Sequence, residues 1–200
     1  MSVVAGLGLT RPAPAVAADT PTVLVLGDSL SAEYGLARGS GWVALLEQRL
    51  ASQGGRYAVV NASISGETTA GGRSRIADLL ARHRPRIVIV ELGGNDALRG
   101  LELGRTERNL REIAQLARRA GAQVLLLGMM VPPNYGRQYS DQFAAIYQRV
   151  ARAEKAALVP FFLDGVAARI DLFQSDRIHP TAQAQPMLLD NVWPALSPLL

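Results

Sequence analysis

Histidine is the scarcest candidate for proton-transfer chemistry in this chain, with two among 200 residues, His83 and His179. His179 lies in Asp176-Arg177-Ile178-His179-Pro180. An aspartate three residues before a histidine can turn back onto the ring within one loop. A carboxylate on Nδ1–H fixes the tautomer and leaves Nε2 free to act as a base. The plain structural alternative is an Asp–His pair capping the following helix. His83 sits in Ala81-Arg82-His83-Arg84-Pro85. There it is expected at a helix C-terminus or in solvent, among arginines that disfavour a charged ring.

A base needs a nucleophile. Val23-Leu24-Val25-Leu26-Gly27-Asp28-Ser29 reads as a strand that runs straight into a Gly-Asp-Ser turn. Ser29 is then at the carboxyl edge of a sheet, where open α/β folds bind ligands. An ordinary polar turn uses the same residue types. Position 31 is Ser, so the segment is not the G-x-S-x-G elbow of α/β-hydrolases. Two further strand ends carry Asn61-Ala62-Ser63-Ile64-Ser65-Gly66 and Glu91-Leu92-Gly93-Gly94-Asn95-Asp96. The Ser29 and Gly66 backbone N–H groups and the Asn95 side-chain amide could together form an oxyanion hole. Asp96 and Glu91 are read as structural carboxylates beneath the site.

These loops converge only if the elements between them are ordered correctly. Apolar runs at Thr22–Leu26, Tyr57–Asn61, Arg86–Leu92, Gln123–Gly128 and Leu158–Phe162 read as strands. Helical patterns at Gly41–Ser52, Thr68–Arg82, Thr106–Ala120 and Asp141–Ala156 alternate with them, and a last helix is expected to start near Pro180. The alternation implies an α/β fold with a parallel sheet and helices on both faces. A flavodoxin-like three-layer fold, strand order 2-1-3-4-5, brings the ends of strands one, two and three together.

The bulk composition is consistent with this. Hydrophobic residues make up 48% and charged residues 19%, which suits one packed domain over residues 20–200. No cysteine is present, so disulfides, thiolate metal sites and cysteine nucleophiles are excluded. No cofactor or metal is expected. The net charge of +4 comes from scattered arginines, without the aromatic interleaving that stacks bases, so no nucleic-acid partner is expected. No apolar run reaches membrane-spanning length, and stable membrane insertion is not expected. Residues 1–19 are rich in Ala, Pro, Gly and Val. Ala15-Val16-Ala17 fits a small-x-small cleavage site, so the segment is read as a signal-peptide remnant or a disordered tail.

The segments Gly27-Asp28-Ser29-Leu30-Ser31, Asn61–Gly66, Gly93-Gly94-Asn95-Asp96 and Asp176–Pro180 resemble the four signature blocks of the GDSL, or SGNH, hydrolases. Leu98-Arg99-Gly100, Pro133-Asn134-Tyr135-Gly136 and Pro160-Phe161-Phe162 bring the chain closer to the bacterial thioesterase I, lysophospholipase and arylesterase branch. The resemblance covers about residues 20 to 195. It implies Ser29 as nucleophile, Asp176 and His179 as the remaining triad members, and Gly66 and Asn95 with Ser29 as oxyanion donors. It implies hydrolysis of a small-molecule acyl ester or thioester, export to the periplasm or medium, and a chain expected to act as a monomer. Glu33 stands where relatives often have glycine, which bears on loop shape and substrate access rather than on the chemistry. Two alternatives carry different expectations. One is a carbohydrate O-acetyl esterase, separable by its turnover of acetylated sugars. The other is a flavodoxin-like binding module, which would lack a reactive serine and for which no Gly-rich phosphate fingerprint is present.

Overall fold

The computed structural model describes residues 20–200, and the expected leader or tail at 1–19 lies outside the described residues. Five strands form one parallel sheet: β1 (Thr22–Gly27), β2 (Ala58–Asn61), β3 (Ile87–Glu91), β4 (Gln123–Leu127) and β5 (Ala157–Val159). Their spatial order is β2-β1-β3-β4-β5, the flavodoxin-like order expected from the sequence. Every residue of β3 is buried, as are five of the six in β1. A strand covered on both faces needs apolar residues on both, which is why these runs do not alternate.

Among the described residues six helices cover the sheet: α1 (Trp42–Ser52), α2 (Thr69–His83), α3 (Gly94–Leu98), α4 (Leu103–Arg119), α5 (Arg137–Glu154) and α6 (Gln185–Leu196). α1 and α6 pack together in one outer layer, while α2, α4 and α5 pack in sequence in the other. Helix α4 illustrates the logic. Leu110, Ile113, Ala114 and Ala117 recur at helical spacing and are fully buried, while Arg108, Arg111 and Arg118 are exposed.

Several boundaries differ from the sequence reading: α4 begins at Leu103 rather than Thr106, and α5 at Arg137 rather than Asp141. Strand β5 ends at Val159 because Pro160 has no N–H for the ladder, which resumes only where the Phe162 N–H reaches Gly128 O at 2.8 Å. The last helix begins at Gln185, after a 3₁₀ turn at Ala182–Ala184, rather than near Pro180. Pro180 is instead bridged antiparallel to Phe173, and the Thr181 N–H donates to Leu172 O at 2.7 Å, so the chain past His179 stays extended. The Gly93–Asn95 turn, read as a loop, opens the short helix α3.

Candidate functional site

Ser29 lies two residues beyond β1, in a tight turn where the N–H groups of Ser31 and Ala32 both reach the Asp28 carbonyl. This geometry leaves the Ser29 N–H at the open end of the turn. Among the described residues it has no acceptor, and the same holds for the Gly66 N–H. Ser31, the residue that breaks the G-x-S-x-G pattern, points inward. Its hydroxyl donates to Glu91 Oε2 at 2.8 Å and accepts from the fully buried Trp42 indole at 3.1 Å. A glycine there would remove both bonds.

The loop between β5 and α6 delivers the histidine. Asp176 Oδ1 accepts the backbone N–H groups of Ile178 and His179 at 2.9 and 3.0 Å, while its Oδ2 lies 2.7 Å from His179 Nδ1. A carboxylate can only accept, so Nδ1 carries the hydrogen. Nε2 is then left to accept from the Ser29 hydroxyl, 2.9 Å away. The Ile178 N–H, the imidazole and the His179 N–H hold the Asp176 carboxyl down at about 2. The ring is fixed from outside as well. Tyr34 packs against it with ring centroids 4.3 Å apart. Gln174 Nε2 ties the Tyr34 carbonyl, at 2.9 Å, to the Pro180 carbonyl, at 3.2 Å.

The loops after β2 and β3 are drawn to the same edge by hydrogen bonds. The Ile64 N–H donates to Gly27 O at 3.0 Å, and Arg99 Nη2 donates to Gly66 O at 2.9 Å. Gly66 adopts φ +77°, a left-handed conformation that a side chain would strain. Gly93 at φ +116° starts α3, and a Cβ there would collide with the Tyr147 hydroxyl. Asn95 Nδ2 donates to Asp28 Oδ2 at 3.0 Å, which places its amide beside the serine turn. Asp96 binds the loops to each other: Oδ2 accepts the Thr69 N–H at 2.9 Å and Oδ1 the Thr69 hydroxyl. The start of α2, and with it the Gly66 loop, is thereby attached to α3.

Of the residues singled out from sequence, Ser29, Asp176 and His179 form one hydrogen-bonded chain, and Gly66 and Asn95 flank it on neighbouring loops. His83 is the last residue of α2, at the opposite edge of the sheet. Glu33 adopts φ +60°, and its carboxylate gathers the N–H groups of Gly39 and Gly41 at 2.8 to 3.0 Å. It thus fixes the loop that carries Tyr34. Sequence reasoning missed Tyr34, Gln174 and the function of Asp28. The signal available was the acid beside the candidate nucleophile, which reads equally well as turn chemistry. Among the described residues no group of three His, Asp or Glu side chains suits a metal ion. No helix among them is long and apolar enough to cross a membrane.

Comparison with known proteins identifies the family. The model of the GDSL-like Lipase/Acylhydrolase family matches residues 25–185. The chain belongs to that family. Esterase TesA of Pseudomonas aeruginosa is 56% identical over 179 residues, covering 90% of this chain and 89% of that protein. Thioesterase 1/protease 1/lysophospholipase L1 of Escherichia coli K12 is 45% identical over 184 residues, covering 92% and 87%. A crystal structure of TesA superposes with a TM-score of 0.88 at 56% identity, covering 90% of this chain and 99% of that one. These GDSL relatives are ester and thioester hydrolases by name, and they favour neither a carbohydrate esterase nor a binding module.

Proposed function

We propose that this family member hydrolyses carboxylic esters and thioesters of small acyl substrates through an acyl-enzyme on Ser29. The observation that carries the reading is the unbroken chain from Ser29 Oγ through His179 to Asp176, with contacts of 2.9 and 2.7 Å. His179 Nε2 takes the serine proton as Oγ attacks the acyl carbonyl. The carbonyl oxygen becomes an oxyanion, held by the Ser29 and Gly66 N–H groups and by the Asn95 amide hydrogen not given to Asp28. Collapse expels the alcohol or thiol, which receives the proton from His179. A water deprotonated by the same nitrogen then attacks the acyl-enzyme and releases the acid. Asp176 orients the imidazole and stabilises its charged form. The protein supplies every group in this cycle, with no resident metal or organic cofactor.

The proposal extends to the setting. The enzyme acts as a monomer, a reading that sedimentation analysis tests directly. It acts in the periplasm or outside the cell, a reading supported by the small-x-small pattern at Ala15–Ala17. N-terminal sequencing of the chain recovered from cell fractions checks it. The decisive experiment for the chemistry is covalent labelling. A fluorophosphonate is expected to modify Ser29 alone, with loss of ester hydrolysis in proportion. Modification elsewhere with Ser29 untouched would remove the nucleophile assignment.

A further inference from the structure

Two carboxyl groups lie directly under the serine turn and take no part in the cycle above. Glu91 is fully buried at the end of β3, and Asp28, in the turn after β1, is 3% exposed. The register of the sheet sets Gly27 opposite Glu91, so the pair is built into the ladder. Glu91 Oε2 accepts the Asp28 N–H at 3.2 Å and the Ser31 hydroxyl at 2.8 Å. Its Oε1 is buried and accepts from nothing among the described residues. Both oxygens of Asp28 are already engaged: Oδ1 accepts the Leu30 N–H and Oδ2 the Asn95 amide, each at 3.0 Å.

Among the described residues neither carboxyl group is in an ion pair. The titratable groups that face them are each other, Tyr147 from α5 and His179 from the closing loop, with Asp96 of α3 beyond Tyr147 and no lysine or arginine among them. Two buried like charges without a cation are disfavoured, and one proton relieves them. The hydrogen-bond pattern decides where it resides. On Glu91 Oε1 the proton turns a buried, unsatisfied acceptor into a donor, and Asp28, whose N–H already bonds the same carboxyl group, is the neighbouring carboxylate. On Asp28 it would compete with donors already in place. Burial and the Asp28 charge push Glu91 well above the ordinary carboxylate range. Burial also raises Asp28, to about 6, against the opposing pull of the Leu30 N–H and its other donors.

We infer that Glu91 and Asp28 share one proton as an acid–carboxylate pair, and that this pair is a positioning device for the Asn95 amide and the Ser29 turn. The inference rests on the esterase reading of Ser29 and Asn95. A carboxylate only accepts, so Asp28 fixes which end of the Asn95 amide faces it and leaves the second N–H hydrogen available. The neutral Glu91 anchors the Asp28 N–H and the Ser31 hydroxyl without adding a second negative charge beneath an oxyanion about to form. Doubly ionised, the pair would repel that oxyanion.

The test uses infrared difference spectroscopy on the wild-type enzyme together with three variants. At neutral pH a protonated-carboxyl C=O stretch is expected, shifted by ¹³C-glutamate labelling. Glu91→Leu and Asp28→Asn are expected to lower kcat by about 10²-fold with KM nearly unchanged, the cost of slightly misplacing a catalytic group. Glu91→Gln offers one donor and one acceptor like the neutral acid, and is expected to restore most of the activity lost in Glu91→Leu. A wild-type enzyme without the glutamic acid band overturns the inference, even where a variant fails to fold. A Gln variant as impaired as the Leu variant also overturns it, because an ionised glutamate would then be required. Fluorophosphonate labelling of Ser29 in the wild-type preparation reports on the esterase reading separately, since its loss leaves the band unchanged.

Discussion

Two carboxylates serve this site from opposite settings. Asp176 lies in a surface loop three residues from the histidine it holds, and the donors around it pull its pKa down to about 2. Asp28 is packed beneath the sheet edge, 67 residues from the asparagine it holds, and burial pushes it up to about 6. The surface acid is stabilised in its charged form by donors that the loop supplies from its own backbone. The buried acid is charged against the cost of desolvation and requires a neutral partner beside it. The first is assembled by a local turn, the second by the packing of β1 against β3. The Asp176–His179 contact is therefore a property of one loop, whereas the placing of the proposed oxyanion donors is a property of the whole fold.

The largest expected effects fall on the loop half of that comparison. Ser29→Ala is expected to lower kcat by about 10⁴–10⁶-fold with the fold intact, and Asp176→Asn by about 10⁴-fold through loss of ring orientation. Steady-state kinetics on proteins with unchanged circular dichroism test both. Near wild-type turnover in a folded Ser29→Ala sample would sink the triad assignment. Asn95→Ala comes next, with kcat down about 10²–10³-fold and KM little changed, the cost of one oxyanion donor. If instead its thermal midpoint drops while kcat holds, Asn95 is a turn residue and the comparison loses its buried half.

Asp96→Asn is expected to act mainly on stability, by about 1–3 kcal/mol, because the Thr69 hydroxyl and N–H lose their charged acceptor. Denaturant unfolding measures it. The pH dependence of stability should divide the two settings by sign. Asp176, depressed in the fold, contributes stability that is present above the ordinary carboxylate range, about 4, and is lost as pH falls toward about 2. Asp28, raised in the fold, acts the other way. The folded state retains its proton longer than the unfolded chain, so stability declines as pH climbs from the ordinary range to about 6. Thermal midpoints across this acid range for wild type and Asp176→Asn should show the acid-side loss only in the former. The smallest effect belongs to a surface pair remote from both regions. Arg149→Ala, which breaks a contact of 2.7 Å to Glu107, is expected to cost at most about 1 kcal/mol and leave kcat unchanged.

The sequence alone determined what local chemistry determines. Alternating apolar runs and helical patterns led to the parallel sheet, because parallel neighbours need a crossover, usually a helix, between them. The strand running into Gly27-Asp28-Ser29 located the nucleophile candidate, and Asp176 at three residues from His179 located its partner, since both are turns closed by neighbours in the chain. Tertiary structure decided the rest. No spacing connects Asp28 to Glu91 and Asn95, Asp96 to Thr69, or Tyr34 to His179. The helix start near Pro180 went unrealised because Pro180 is bridged to Phe173 and the extended chain delivers His179 to Ser29. A turn is closed by residues that are already neighbours, so its types and spacing carry the information. A buried carboxyl group owes its charge state to whatever the packed strands and helices bring beside it, and that is settled only when the chain folds.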